Sequence, residues 1–352
     1  MYYVKRLRNV PRRLREVWQL VTDPQLSRTY YPDVERKSHA RIMLENFWWY
    51  LCYREANQYY FAYGMDRKTG IDPSEYLVYG NFRKMRDLAN SAHPDVRDLE
   101  FSYRVVMRDK FLFGQYLQGL GFPTPRILAA GDKESLAWFD GEHKRLPYES
   151  ILDRPLDCFF KGTLTDGASH VWRIEVKDGQ LFVKGRGSTI SALQNSVYDR
   201  CLLQERVEQH PTLSHLSPFA VNTIRLVTIN GPDGPFPFNA VVRLAVKGQS
   251  VDNWAAGGIA VSIDLDTGCL GRYGMFKPGH GTITEQHPDT GVRFENYKLP
   301  YIEETLQLAS RLHSFFPGLH SIGWDIAITN EGPSFLEAND DWELGFHQAL
   351  YG

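Results

Sequence analysis

The sequence predicts an α+β fold with extensive antiparallel sheet, and three observations carry that prediction. Residues 1–100 are rich in Arg and aromatic side chains, at helical spacing and with few strand signals. From Phe101 onward, short strand-like runs dominate and only a few helical patterns interrupt them, unlike an alternating βαβ chain. The chain closes on Ser321-Ile-Gly-Trp-Asp325-Ile-Ala-Ile-Thr-Asn-Glu-Gly-Pro-Ser-Phe-Leu-Glu337-Ala-Asn339, which reads as two strands around an Asn330-Glu-Gly-Pro turn.

The first segment interleaves Lys5, Arg6, Arg8, Arg12, Arg13 and Arg15 with Leu7, Val10, Leu14, Val17 and Trp18, against the single acid Glu16. Such a basic amphipathic helix either rests on an anionic membrane or docks its apolar side on the protein body. Pro11 interrupts any long helix, so docking is the favoured reading. Ile42, Phe47, Trp48, Trp49, Leu51 and Tyr53 suggest a broadly buried helix, and Asp72-Pro73 a turn before another helical segment. Arg104 to Leu120 reads as one helix ended by Gly119 and Gly121, leading through Phe122-Pro-Thr-Pro into a strand at 126–130. Strand-like runs follow at 157–161, 171–176, 180–183, 223–229, 240–246 and 258–265. Helical patterns fall at 190–194 and 301–315, where Ile302, Leu306, Ala309 and Leu312 form a stripe.

With 352 residues, 43% hydrophobic and 23% charged, the chain is long enough for two or three lobes. A formal net charge of −2 argues against a general nucleic-acid binder. Cys52, Cys158, Cys201 and Cys269 are scattered, without C-x-x-C, which favours a reducing compartment over a disulfide framework or zinc site. No run approaches a membrane span and no signal-peptide pattern opens the chain, so the expected location is cytoplasmic.

The closing hairpin holds the most specific chemistry. Strand alternation puts Asp325 among the small residues Gly323 and Ala327, and puts Phe335, Glu337 and Asn339 on one face of the second strand. A carboxylate facing a carboxylate and an amide oxygen is a hard-cation site, and magnesium commonly joins such groups to substrate phosphates. Phe159-Phe160-Lys161-Gly162 leads an ammonium out of an apolar strand into the Gly/Ser/Thr-rich loop 163–169, an arrangement suited to phosphate oxygens. Arg225 and Arg243 lie inside strand-like runs, where each needs a phosphate, a metal-bound carboxylate or a salt-bridge partner. The Gly/Pro-rich region from Phe276 to Gly291 offers Lys277 for anion contact, and His280 or His287 for orienting an acceptor or taking its proton.

In order along the chain, Asp-Lys110, Gly121-Phe-Pro-Thr-Pro, Phe-Lys161-Gly, Gln204-Glu-Arg-Val207, Asn-Thr-Ile-Arg225 and Gly-Trp-Asp325…Leu-Glu337-Ala-Asn339 resemble the ATP-grasp superfamily. Tyr63-Gly-Met-Asp66, Val251-Asp-Asn-Trp254, Ala256-Gly-Gly258 and His287-Pro-Asp-Thr-Gly291 narrow the resemblance to the sugar-transfer-associated ATP-grasp family, from about residue 60 to the end. The resemblance implies two α+β lobes gripping ATP: a catalytic region at 101–352 with a lid-bearing lobe at about 125–205 and a metal-bearing lobe at about 206–352, behind a helical region at 1–100. It implies that Lys110 and Lys161 bind nucleotide phosphates, that loop 161–169 is the lid, and that Gln204 to Val207 form the hinge at adenine, with Glu205 in its acidic position. Asp325, Glu337 and Asn339 match the magnesium ligands, with Glu337 bridging two ions, and Arg225 the basic residue near the transferred phosphate. Asp252, Asn253, Gly257 and Gly258 are expected to face the cleft.

The expected activity is an ATP- and Mg2+-dependent carboxylate–amine ligase. A substrate carboxylate takes the γ-phosphoryl group to give an acyl phosphate, and an amine on a small metabolite, peptide or sugar-linked acceptor displaces phosphate. Two alternatives keep the fold: a small-molecule kinase acting on a hydroxyl, and a non-catalytic nucleotide-binding partner of a glycosyltransferase system.

Overall fold

Alternating apolar residues in the C-terminal two-thirds of the chain assemble two antiparallel sheets, and the N-terminal helices cover part of one of them. The computed structural model describes residues 10–69, 71–90, 102–141, 144–164, 171–197, 199–249 and 251–351. Three helices come first: α1 (Val10–Thr22), α2 (His39–Tyr53) and α3 (Tyr79–Ala89). Pro11 sits in the first described turn of α1, where a missing N–H is tolerated, and the segment before Val10, on which the expected interruption bears, lies outside the described residues. The region boundary expected near residue 100 lies outside the described residues.

The single helix expected over 104–120 is two, α4 (Arg104–Arg108) and α5 (Lys110–Gly119). Asp109 takes an extended conformation between them, and its carboxylate accepts from the Phe111 and Leu112 N–H groups, capping α5. Its other oxygen pairs with Arg200 at 2.7 Å.

The first sheet contains β1 (Ile127–Asp132), β2 (Leu136–Trp138), β3 (Arg145–Leu146), β4 (Leu156–Gly162), β5 (Val171–Lys177), β6 (Gln180–Val183) and β7 (Arg186–Gly187). After α6 (Ile190–Asn195), β8 (Arg200–Glu205) inserts between β1 and β4, giving the order β3-β2-β1-β8-β4-β5-β6-β7. The lid expected at 161–169 lies mostly outside the described residues, which resume at Val171.

Helix α7 (Pro211–Leu216) leads into the second sheet: β9 (Thr223–Gly231), β10 (Gly234–Leu244), β11 (Ile259–Ile263), β12 (Leu270–Phe276) and β13 (Ile283–Thr284). Helix α8 (Ile302–His313), the hairpin β14 (Ser321–Thr329) and β15 (Gly332–Asn339), and α9 (Gly345–Tyr351) complete the chain. The order is β13-β12-β11-β10-β9-β14-β15, so sequence-distant β9 and β14 are neighbours.

The two faces of this sheet differ in kind. Ile224, Leu226, Val242, Val261, Ile322, Trp324 and Ile326 point into the main core, against Phe113 and Leu117 of α5 and Ala309 and Leu312 of α8. The opposite face carries Arg225, Arg243 and Asp325, and beyond them Val241, Ala260 and Met275. On that second face pack Leu20 and Val21 of α1, Ile42 of α2, the 59–65 segment and Phe346 of α9. Arginines of α3 and α4 also grip the acids that follow the hairpin. Arg104 and Arg108 each pair with Asp340 at 2.8 Å, while Arg83 and Arg86 hold Asp341.

The broadly buried helix expected around 42–53 is half right. Ile42, Asn46 and Tyr50 are buried, whereas Leu44, Phe47, Trp48, Leu51 and Tyr53 are exposed. Only one side of α2 meets the body, because α1 and the 59–65 segment approach it from that side.

Candidate functional site

The charged face of the second sheet opens into a cleft of ≈ 300 Å³ bounded on its other side by β4 and β8 of the first sheet. Lys161, Gln204, Glu205, Val207, Arg225, Asp325, Glu337 and Asn339 all line it, together with Thr223, Arg243, Asp252 and Asn253. Pro125, Phe159, Val171, Val221 and Leu336 supply apolar wall.

Cross-strand register brings the acidic end together. Asp325 on β14 stands opposite Glu337 on β15 and opposite Arg225 on β9, and Gly323 stands opposite Asn339. The expected alignment of Phe335 with Glu337 and Asn339 does not hold. A bulge at Leu336 makes Phe335 the partner of Ile326, which turns its ring into the main core while the two polar side chains face the cleft.

Asp325 is gripped by two guanidiniums. Arg225 Nε donates to Oδ1 and Nη2 to Oδ2 at 3.1 Å, while Arg243 Nη2 donates to Oδ2 at 2.9 Å. Burial pushes the Asp325 carboxyl upward, but Arg225 and Arg243 together outweigh it and hold the pKa below its ordinary value. Arg243 also donates to Thr223 Oγ1 at 2.6 Å, and Asp252 accepts from the Thr223 N–H at 2.7 Å and hydroxyl at 2.5 Å. Burial raises the pKa of Asp252, and Arg243 only partly opposes it. The four groups form one buried network with alternating sign.

Two lysines approach this network, Lys161 from β4 of the first sheet and Lys110 from the start of α5. Lys161 leaves β4 and donates to Gln204 Oε1 at 2.8 Å, and the Gln204 amide donates onward to the Pro125 carbonyl at 3.0 Å. Burial draws the Lys161 pKa from 10.5 down to about 8, with Lys110 adding to the decrease and Glu337 opposing it. Lys110, the first residue of α5, donates its N–H to the Thr163 carbonyl at 2.9 Å and brings Nζ to 3.4 Å from Glu337. It therefore touches both sheets. Glu205 is engaged with Arg126, accepting from its N–H at 2.8 Å.

Lys277 and His280 are not among the residues lining this cleft. Lys277 lines a separate pocket with Leu26 and Tyr59, its Nζ 6.0 Å from the centre of the Trp254 ring. His280 stands against Gly257, where an added Cβ would lie 3.0 Å from its Nδ1. His287 is buried and bonds the Ala245 carbonyl at 2.9 Å. A larger cavity of ≈ 420 Å³ sits among α1, the end of α2 and the start of α3, lined by Arg12, Arg13, Trp49, Tyr59 and Arg83. We take the smaller cleft as the candidate site, because there, among the described residues, a lysine, arginines and carboxylates from both sheets converge.

One residue near the cleft had no signal in the sequence. His347, on α9, is buried with neither ring nitrogen hydrogen-bonded among the described residues. Burial, then the fields of Arg225 and Arg243, hold its imidazole neutral. A lone His in a terminal helix gives no hint of this, since its place depends on how α9 folds back over β10 and β11.

A family model described as sugar-transfer associated ATP-grasp matches residues 100–352. The chain belongs to that family. Its α+β architecture is the ATP-grasp fold, preceded by helices in the N-terminal region. Among solved structures it is similar to N5-carboxyaminoimidazole synthase from Aspergillus clavatus in complex with ADP and 5-aminoimidazole ribonucleotide, at 8% identity and TM-score 0.39, over 67% of this chain and 45% of that one. D-alanine-D-alanine ligase from Coxiella burnetii gives 13% and 0.33, over 66% and 48%, and L-amino acid ligase from Bacillus licheniformis 8% and 0.35, over 67% and 41%. The chain thus spans less than half the length of each of these three. No curated protein matches the sequence.

Proposed function

We propose that this ATP-grasp protein is an ATP- and magnesium-dependent ligase that activates a carboxylate as an acyl phosphate and joins it to an amine on a small metabolite, peptide or sugar-linked acceptor. One observation carries the reading: Lys161 faces Asp325 and Glu337 across a single cleft between the two sheets, and Lys110 brings its Nζ to 3.4 Å from Glu337. On this reading the lid-bearing lobe runs over about 125–205 and the metal-bearing lobe over about 206–352.

The donor set fits magnesium. Asp325, Glu337 and Asn339 offer only hard oxygen ligands on one face, and the partly exposed Glu337 leaves room for the waters magnesium retains. Bound there, the metal would neutralise triphosphate charge and template the transferring group. Nucleotide also fits: Val207, Val171, Phe159 and Leu336 suit a purine, while the lysines suit phosphates. Asp325, Glu337 and Asn339 would hold the metal, and on this reading two ions would be bound.

The chain's own residues then act by position and charge, with no covalent nucleophile. Lys161, held by Gln204, and Lys110, held through α5, cradle phosphate oxygens. Arg225 and Arg243 stabilise the loose phosphoryl group as a substrate carboxylate oxygen bonds to the γ-phosphorus and the bond to ADP breaks. The amine nitrogen next bonds to the acyl carbon, loses a proton, and phosphate departs. Loop 277–280 packs beside the 253–257 turn, whose Asn253 lines the cleft, and on that adjacency Lys277 and His280, though outside the cleft lining, are the proposed acceptor-recognition residues.

The reading is tested by turnover with a panel of acids and amines, using acids labelled with 18O in the carboxylate. A ligase releases phosphate only when acid and amine are both present, and one labelled oxygen moves into that phosphate. A stable phosphorylated product formed without amine identifies the hydroxyl kinase, and nucleotide binding without turnover on any acceptor favours a binding partner.

A further inference from the structure

Helix α2 buries Ile42, Asn46 and Tyr50 against the body and leaves a second apolar side in water. Asn46 is buried, whereas Leu44 and Trp48 are each 68% exposed, Phe47 46% and Leu51 39%. Their spacing of i, i+3, i+4 and i+7 makes a continuous stripe along one side of a 15-residue helix. On the packed neighbour α1, Trp18 is 59% and Leu14 39% exposed. Apolar surface left in water on this scale marks a docking site.

The charges say what docks. The one acid of α2, Glu45, is taken up by Lys37 at 2.7 Å, Arg41 at 2.9 Å and the Tyr60 hydroxyl at 2.5 Å. The one acid of α1, Glu16, pairs with Arg12 at 3.0 Å. Among the described residues, Arg13, Arg15 and Arg54 have no carboxylate partner. The layer is therefore apolar and aromatic along its stripe, basic around it, and without a free carboxylate on either helix. A symmetric contact with a second copy would press these arginines against one another.

We propose that α2, flanked by the arginines of α1, docks on an anionic lipid bilayer surface. Trp48, Leu44, Phe47 and Leu51 enter the boundary between headgroups and acyl chains, and Arg13, Arg15 and Arg54 meet lipid phosphates. Binding is interfacial, since no described helix is long and apolar enough to cross a membrane. The apolar side of α1 itself is consumed on the protein body, through Val17, Leu20 and Val21. The lipid-facing stripe lies one helix later.

The test is sedimentation of the full chain with phosphatidylcholine vesicles, with and without phosphatidylserine. Binding is expected only with the anionic lipid and should weaken as salt rises. The double variants Leu44→Ser/Trp48→Ser and Arg13→Glu/Arg15→Glu should each lower partitioning about tenfold, with thermal midpoint and Mg-ADP affinity unchanged. Should the serine variant not fold, the wild-type chain still reads the contact: its tryptophan emission shifts to the blue on anionic vesicles, and Trp48→Phe removes most of that shift. Absence of binding to anionic vesicles overturns the proposal, as does binding that Leu44→Ser/Trp48→Ser leaves intact. A dimer in solution that the same variant dissolves would assign the face to a second copy instead.

Discussion

Arg225 and Asp325 are direct cross-strand partners separated by 100 residues in the chain, and their side chains meet as a buried ion pair. Asp325 is also opposite Glu337, so one position joins the arginine cluster to the oxygen donors of the hairpin. In the protein alone both its oxygens serve the arginines. Under the proposed function, metal and phosphate would take over those two roles together.

Asp325 and Glu337 should respond differently to loss of charge. Asp325→Asn leaves Arg225 and Arg243 buried without the carboxylate they share, with Asp252 and Glu337 the remaining acids near Arg243, and should cost about 3 kcal/mol of stability. Glu337→Gln, at a carboxylate about a third exposed, should change stability by less than ~1 kcal/mol while abolishing ATP turnover. Chemical denaturation and phosphate release on both variants check this pair, and full activity in Glu337→Gln would remove it from the metal site.

Gln204→Leu should weaken nucleotide binding without altering the fold. The substitution removes the acceptor that aims Lys161 and leaves the Pro125 carbonyl without that donor. A loss of about tenfold in Mg-ADP affinity is expected, measured by calorimetry.

Nucleotide affinity should fall as pH rises through about 8, where Lys161 loses its proton in the free protein. The decline should approach about tenfold per pH unit above that point and vanish in Lys161→Arg. Stability should move the other way. The unfolded lysine keeps its proton to about 10.5, so the folded chain is relieved of a buried charge between those two values. Binding isotherms and denaturation curves between pH 7 and 10 separate the two trends.

Gly323→Ala should disturb the site from beneath. A Cβ there would lie 2.5 Å from Trp342 Cβ and 3.5 Å from Arg225 Cδ. Displacing Trp342, whose indole bonds Ser321 at 3.1 Å, should cost about 1–3 kcal/mol and lower turnover through Arg225. Thermal denaturation together with kcat reads both effects.

Much of the fold and the cleft was legible in the chain because it is local. Alternation along 321–329 separated Asp325 from Trp324 and Ile326 correctly, and the Phe159-Phe160-Lys161-Gly162 run marked a lysine at a strand end. What failed depends on geometry that spacing does not encode. A single extra residue at Leu336 reversed Phe335, and a side-chain cap at Asp109 split a helix whose apolar period looked continuous. The pairing of Arg243 with Asp325 and Thr223, and the burial of His347, arise from contacts between distant segments. Exposure of Trp48 was hidden for the opposite reason: an apolar stripe looks the same whether it meets a core or water.

Nucleotide binding through magnesium held by the hairpin carboxylates is the central requirement of this mechanism. Calorimetric titration of ADP into the full chain, with magnesium and with EDTA, tests it most directly. Binding that requires magnesium, and is lost in both Glu337→Gln and Lys161→Ala, is the predicted result. Binding that is equal in EDTA, or unchanged in either variant, would contradict it.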